Sequence, residues 1–419
     1  MTREADIHRA CSTLTAALAT ACALAGVAHA QSDIISPDTF HGLVEVRAGA
    51  AGGERSWLDG GFGKTSVSGG GSADLSQAVL EWKPKFSFAV SGLVSVQSQA
   101  RIQPGVDLGE AYLRLRAPPS ELGRLSARVG VFYPPVSMEH DGAGWTTPDM
   151  LSASALNSWI GEEVKVGGVE VTWRQTLAGH ELEATGAAFG WNDTAGTLLT
   201  FRGWTLDETR AGVRTAYRLP ALSPFAKLFQ VDETYPFREL DHRAGYYGRI
   251  EWRPPAPIAF NALYYDNAGN RTAVDSDGQW AWQTRFFNAG LRWQASPDVK
   301  VLVQAMTGET KEGYVMPGGI WFDVGYDAAY VLVARRLGED ALSGRIDTFR
   351  TRDRTFRKID DNQENGWAAT ASWRHRMAPH IDLFLEAQHV DSKRASRRLV
   401  GEDARQAQSV LQTALRLSF

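Results

Sequence analysis

The chain has 419 residues and a formal net charge of -4, with 44 Lys and Arg against 48 Asp and Glu, a balance that excludes a dominant nucleic-acid-binding surface. Both cysteines, Cys11 and Cys22, fall in the first 30 residues, so the remainder has no thiol, disulfide or cysteine metal site. Beyond residue 30 no apolar run approaches the roughly 20 residues a membrane helix needs, but a strand spans a bilayer with about 10, only half of them apolar, so the negative mean hydropathy does not argue against a membrane.

Residues 1–30 read as a secretory signal: Arg3 and Arg9, an apolar stretch from about Leu14 to Val27, then Ala28-His29-Ala30 before Gln31. Cys22 is a poor lipoprotein site because Ala19 stands where a larger apolar residue is usual. The expected mature chain, residues 31–419, then forms one domain, and the lost Arg3 and Arg9 are balanced by Glu4 and Asp6.

Period-two alternation follows. Gly42, Val44, Val46 and Ala48 oppose His41, Glu45 and Arg47. Phe86, Phe88, Val90, Val94 and Val96 oppose Ser87, Ser91, Ser95 and Gln97, and Ala111, Leu113 and Leu115 oppose Glu110, Tyr112, Arg114 and Arg116. Tyr246, Ile250 and Trp252 oppose Arg249 and Glu251, and Leu383, Leu385 and Ala387 oppose Asp382, Glu386 and Gln388. The terminal segment places Leu411, Leu415, Leu417 and Phe419 opposite Gln412, Arg416 and Ser418, although residues 407–415 also fit helical spacing. Each strand has one wet face.

Short turns rich in Pro and Gly, among them 117–123, 219–223, 254–257 and 377–380, alternate with nine longer polar connections: 49–74, 98–108, 134–162, 191–208, 232–243, 267–279, 309–320, 351–365 and 391–405. That alternation predicts an all-β, antiparallel transmembrane barrel of 16 to 18 strands, the nine loops giving about 18. A soluble propeller should repeat a motif every 40 to 50 residues, and none recurs.

The third long connection contains Thr147-Pro148-Asp149, a helix start, then Met150, Leu151, Ala153, Ala155, Leu156, Trp159 and Ile160. A helix burying these residues against the wall would hold the loop inside the pore; an external loop packed on a neighbouring subunit is the alternative. Residues 129–164 carry no Lys or Arg, and Glu139, Asp141, Asp149, Glu162 and Glu163 would make an acidic constriction. Basic residues on expected inward positions are Arg114, Arg116, Arg128, Arg214, Arg249, Arg292, Lys300, Arg345, Arg374 and Arg416. Acids facing arginines across a narrow aqueous gap make a transverse field that orients dipolar solutes. The six histidines from His140 to His389 fall in separate loops or turns, so no catalytic residues, metal site or cofactor are expected.

The segments Asp360-Asp361-Asn362-Gln363-Glu364-Asn365-Gly366-Trp367, Met377-Ala378-Pro379-His380 and Ala414-Leu415-Arg416-Leu417-Ser418-Phe419 resemble the phosphate-selective porin O and P type of proteobacterial outer-membrane porins. The resemblance extends more weakly over most of the mature chain. It implies a homotrimeric channel in outer-membrane lipid, a third external loop folded inward, and a terminal aromatic, here Phe419, read by the barrel assembly machinery. The acidic loop departs from that family's basic constriction. The expected function is therefore passive diffusion of small hydrophilic solutes or ions without phosphate selectivity, the alternative being a blocked barrel acting as a surface binding or structural protein.

Overall fold

The computed structural model describes residues 33–67 and 70–419; the expected signal, its cleavage site and both cysteines lie outside them. Seven strands come first: β1 (Phe40–Gly52), β2 (Gly70–Trp82), β3 (Val90–Gln99), β4 (Asp107–Arg116), β5 (Arg124–Phe132), β6 (Val166–Leu177) and β7 (His180–Gly190). A long excursion then holds the two-residue ribbon β8 (Tyr217–Arg218) and β9 (Glu233–Thr234). The chain resumes with β10 (Gly245–Arg253), β11 (Ile258–Asp266), β12 (Gln283–Ser296), β13 (Val299–Met316) and β14 (Gly319–Leu337). It ends with β15 (Asp340–Asp353), β16 (Glu364–Ala378), β17 (Ile381–Arg394) and β18 (Arg405–Ser418).

All but β8 and β9 close into one antiparallel barrel of 16 strands. The seam is β1 on β18, running from Leu43 opposite Ser418 to Gly52 opposite Ser409. The alternation fixes each register because a one-residue slip would turn a whole row of side chains to the wrong face. In β18 the outward Leu411, Leu415 and Leu417 are exposed while Gln412, Ala414 and Arg416 are buried inside, so the terminal segment is a strand and not a helix. Outward Ile250, Phe287, Val331, Ile346 and Leu385 continue the same apolar wall on other strands.

The expected nine long loops exceed those of the structure by two. Residues 191–244 are a single excursion from β7 to β10, and 219–223 lies inside it instead of turning between barrel strands. Nor is 309–320 a loop: β13 continues to Met316, and Pro317 and Gly318 turn directly into β14. Alternation also began too early at Phe86, since β3 starts at Val90.

A lumen filled by two inward segments

Two segments fold into the barrel. In the first, the helix α1 (Ala155–Glu163) starts later than Thr147-Pro148-Asp149 suggested, with Ser154 as its cap accepting from Asn157 N at 3.2 Å. The reason is where the preceding backbone groups go. Arg416 donates to the Thr147 carbonyl at 2.7 Å, Arg374 to the Pro148 carbonyl at 3.2 Å, and Leu151 N donates to Glu386 at 2.7 Å. Strand side chains thus take the groups that a helix ladder would use.

The second segment lies within 191–244, where the sequence predicts polar external loops, yet Leu198, Leu199, Phe201, Trp204 and Leu206 are buried. A short helix, α2 (Thr197–Phe201), packs near α1, and Trp159 lies in edge contact with Trp204 and Phe286. Inward aromatics of the barrel, Tyr247, Tyr265, Phe286, Tyr326 and Phe349, complete one apolar cluster with both segments. The wall is therefore polar near its ends and aromatic in this layer. The signal was present as five large apolar residues in a supposedly polar connection.

The expected acidic constriction divides. Contrary to the expected constriction, Glu162 and Glu163 do not face open space: both are at most 1% exposed. Glu162 is bonded to Arg202 and Thr205, and burial pushes its carboxyl up to about 8 despite Arg202. Glu163 accepts from Trp159 Nε1 at 2.6 Å and Leu198 N at 2.7 Å, joining the two inward segments. Glu139 is also buried, accepting from Ser154 N and from Arg345 at 3.1 Å. By contrast, Asp141 is half exposed and pairs with Arg292 at 3.0 Å, and Asp149 pairs with Lys300 at 2.5 Å.

The basic residues divide similarly. Arg128 pairs with Glu170, Arg249 with Glu183 and Glu251, Arg345 with Asp347, and Arg416 with Glu45. Arg374 is spent on the Pro148 carbonyl. Arg214, expected on an inward strand position, lies on no barrel strand but in the second segment, largely exposed, 3.6 Å from Asp107. Arg114 and Arg116 remain at the short-turn end, lining a cavity of about 560 Å³ with Lys85 and Ser91. A second cavity, about 410 Å³, is lined by Asp141, Arg292, Glu183, Arg249 and Glu251. At the other end a crevice of about 60 Å³ runs beside β1 to β3, lined by Arg47, Gln77, Gln99 and Glu208.

The first segment also leans on β2, with Gly144 N donating to Glu81 at 2.8 Å. Tyr133, Trp145 and His140 form a stack, with centroids 4.1 and 3.7 Å apart. Glu208, 3.7 Å from His140, also accepts from Thr147 N at 2.8 Å. Burial would raise the Glu208 carboxyl, but His140, Arg210 and that N–H hold it down at about 2. Asp193, Glu239 and Asp241 cluster elsewhere in the second segment, but they accept from the backbone of Leu240, Trp191 and Asn270, which accounts for their approach without a metal. Phe419 lies at the seam, where it and Gly42 exchange backbone hydrogen bonds of 3.0 and 3.1 Å.

Among solved structures, the outer membrane channel DcaP of Acinetobacter baumannii is similar over 93% of this chain and 100% of its own, with a TM-score of 0.57 and 10% identity. The anion-selective porin from Comamonas acidovorans covers 93% and 100%, with a TM-score of 0.51 and 9% identity. The fold is that of outer-membrane porins. A loop-deletion form of OmpT, an outer membrane protein of Vibrio cholerae, is similar over 91% and 99%, with a TM-score of 0.50 and 10% identity. No family model matches the chain, and no curated protein sequence matches it. At such identities the likeness carries the porin architecture alone.

Proposed function

We propose that this chain is an outer-membrane porin of a Gram-negative bacterium, a passive and non-enzymatic diffusion channel for small hydrophilic solutes or ions. The observation that carries the reading is the inner wall, where the accessible pair Asp141–Arg292 lines a cavity of about 410 Å³ left between the first inward segment and the strands. The short turns face the periplasm in this reading, the long connections face outward, and three copies assemble in outer-membrane lipid. The barrel assembly machinery reads the terminal strand ending at Phe419. Kinship with the phosphate-selective O and P type rests on a resemblance that is strongest in residues 360–419 and weaker over most of the mature chain.

Phosphate selectivity is not part of the proposal. A phosphate-binding constriction needs cations with spare charge, whereas Arg128, Arg249, Arg345 and Arg416 are each neutralised by a carboxylate on the wall. The basic vestibule around Arg114 and Arg116 would attract anions without holding them at a narrow point.

One observation favours a second reading, a blocked barrel used for binding or structure. The layer containing Trp159, Leu199, Trp204 and Phe286 is almost wholly inaccessible and spans from the inward segments to the wall. Bilayer conductance separates the two readings: the porin gives steady current over a wide voltage range, and the blocked barrel gives none. Liposome swelling with small sugars provides an independent check.

A further inference from the structure

Side chains on the outer wall of a membrane barrel should be apolar across the hydrocarbon, but on β12 to β18 the outward rows become charged at one height. Glu309 stands ten residues above Val299, Asp327 ten above Leu337, Arg350 ten above Asp340 and Asp391 ten above Ile381, all counted from the short-turn end. Ten residues rising about 3.4 Å each along a strand tilted by about 40° climb roughly 26 Å, close to the apolar band of about 25 Å. The charges therefore begin where the outer leaflet's headgroups would lie.

The local balance is positive. Glu309 is shared by Arg285, Lys311 and Arg354, Asp323 also meets Arg354, and Asp327 is shared by Arg350 and Arg352, so three carboxylates serve five cations. Lys393 forms no ion pair among the described residues, and Arg405 meets Asp391 at 2.9 Å while remaining 73% exposed. The chain as a whole is acidic, so general basicity does not explain this surplus. Arg350, Lys393 and Arg405 border a concavity of about 710 Å³ that also contains Trp367, an aromatic suited to the interface. Below it, a trough of about 630 Å³ runs over Gly344, Ala369, Ala371 and Ala387, between Ile346 and Leu411.

We propose that the outward wall of β14 to β18 binds a phosphate-bearing lipid of the outer leaflet, with Arg350, Lys393 and Arg405 on its phosphates and its hydrocarbon in the small-residue trough. This rests on the outer-membrane reading. Cations at a bilayer surface attract anionic headgroups, guanidinium groups bond phosphate oxygens directly, and an apolar trough selects the lipid over a free anion.

The test titrates the folded, full-length protein in detergent with bis-phosphorylated lipid A and reads retained lipid by native mass spectrometry. The triple variant R350Q/K393Q/R405Q should retain it about tenfold more weakly or worse, while R336Q, which removes a cation at the opposite end of β14, should not. Phosphatidylcholine should bind both proteins alike. Should the triple variant not fold, K393Q alone, which breaks no ion pair, should still weaken retention severalfold relative to R336Q. Equal lipid A retention by variant and parent would overturn the proposal, as would displacement of the lipid by millimolar inorganic phosphate. A change in oligomeric state without a change in lipid retention would make the wall an interface between copies instead. Recovery of the protein as a soluble species without detergent would refute the outer-membrane reading itself, a failure distinct from loss of lipid selectivity.

Discussion

At the scale of single residues, what a carboxylate does is decided by its burial and partners more than by its sign. Glu139 and Asp141 are two positions apart, yet the first locks Ser154 and Arg345 while the second stands in open space beside Arg292. Glu139→Gln should therefore cost about 2 to 3 kcal/mol by leaving Arg345 and the Ser154 N–H imperfectly paired, visible as a lower unfolding temperature of the barrel. Asp141→Asn should leave that temperature unchanged. Glu208 supplies a pH dependence. Its folded carboxyl is held at about 2, below the ordinary 4.5, so its contribution is complete above pH 4.5 and is lost as pH falls toward 2. The shift corresponds to something on the order of 3 kcal/mol. Acidification through that window should loosen the first inward segment, read as protease sensitivity or a change in Trp145 fluorescence, and Glu208→Gln should remove the transition. An identical acid transition in the variant would reject this assignment.

At the scale of elements, alternation was legible wherever a strand had lipid on one side and water or polar groups on the other. Leu411, Leu415 and Leu417 against Gln412 and Arg416 could be read directly, and the seam they make with β1 followed. The inward segments were less legible because their backbone is satisfied by distant side chains that no local spacing reveals. Pro148 looked like a helix start, but Arg374 and Arg416 come from strands more than 200 positions away. The acids Glu162 and Glu163 fared worst: sequence gives their charge, while only the fold of 191–244 brings Arg202, Thr205 and Leu198 against them.

One glycine offers a clean test of how the first segment sits. Gly144 has φ +62, and a Cβ there would fall within the Val79 side chain on β2. Both the left-handed backbone and the contact disfavour alanine, so Gly144→Ala should lift the segment from the β2 wall at a cost of about 1 to 2 kcal/mol and alter open-channel current noise. Deleting Phe419 acts on a different element. It removes the backbone pair with Gly42 and the terminal aromatic, and should slow insertion in a folding assay while leaving the sheet content of the assembled protein unchanged.

At the scale of the whole molecule, a barrel with 16 strands is wide enough to conduct, and the two inward segments determine how much of that width remains. Charges matter where the remaining path is narrow, since beyond roughly 8 Å in physiological salt they are largely screened. Asp141 lines an open cavity and Asp149 neutralises Lys300 on the wall, so their double amide variant should move the reversal potential in a salt gradient toward anion preference. Neutralising Arg114 and Arg116 in the basic vestibule should move it the other way.

The most direct measurement is the conductance of purified protein reconstituted in a planar bilayer, parent against the Asp141 and Asp149 double amide. A passive channel narrowed by its inward segments predicts small, steady, voltage-tolerant steps in the parent and a shift toward anions in the variant. A parent protein that is folded and inserted yet passes no current over a wide voltage range would contradict the account and leave a blocked barrel in its place.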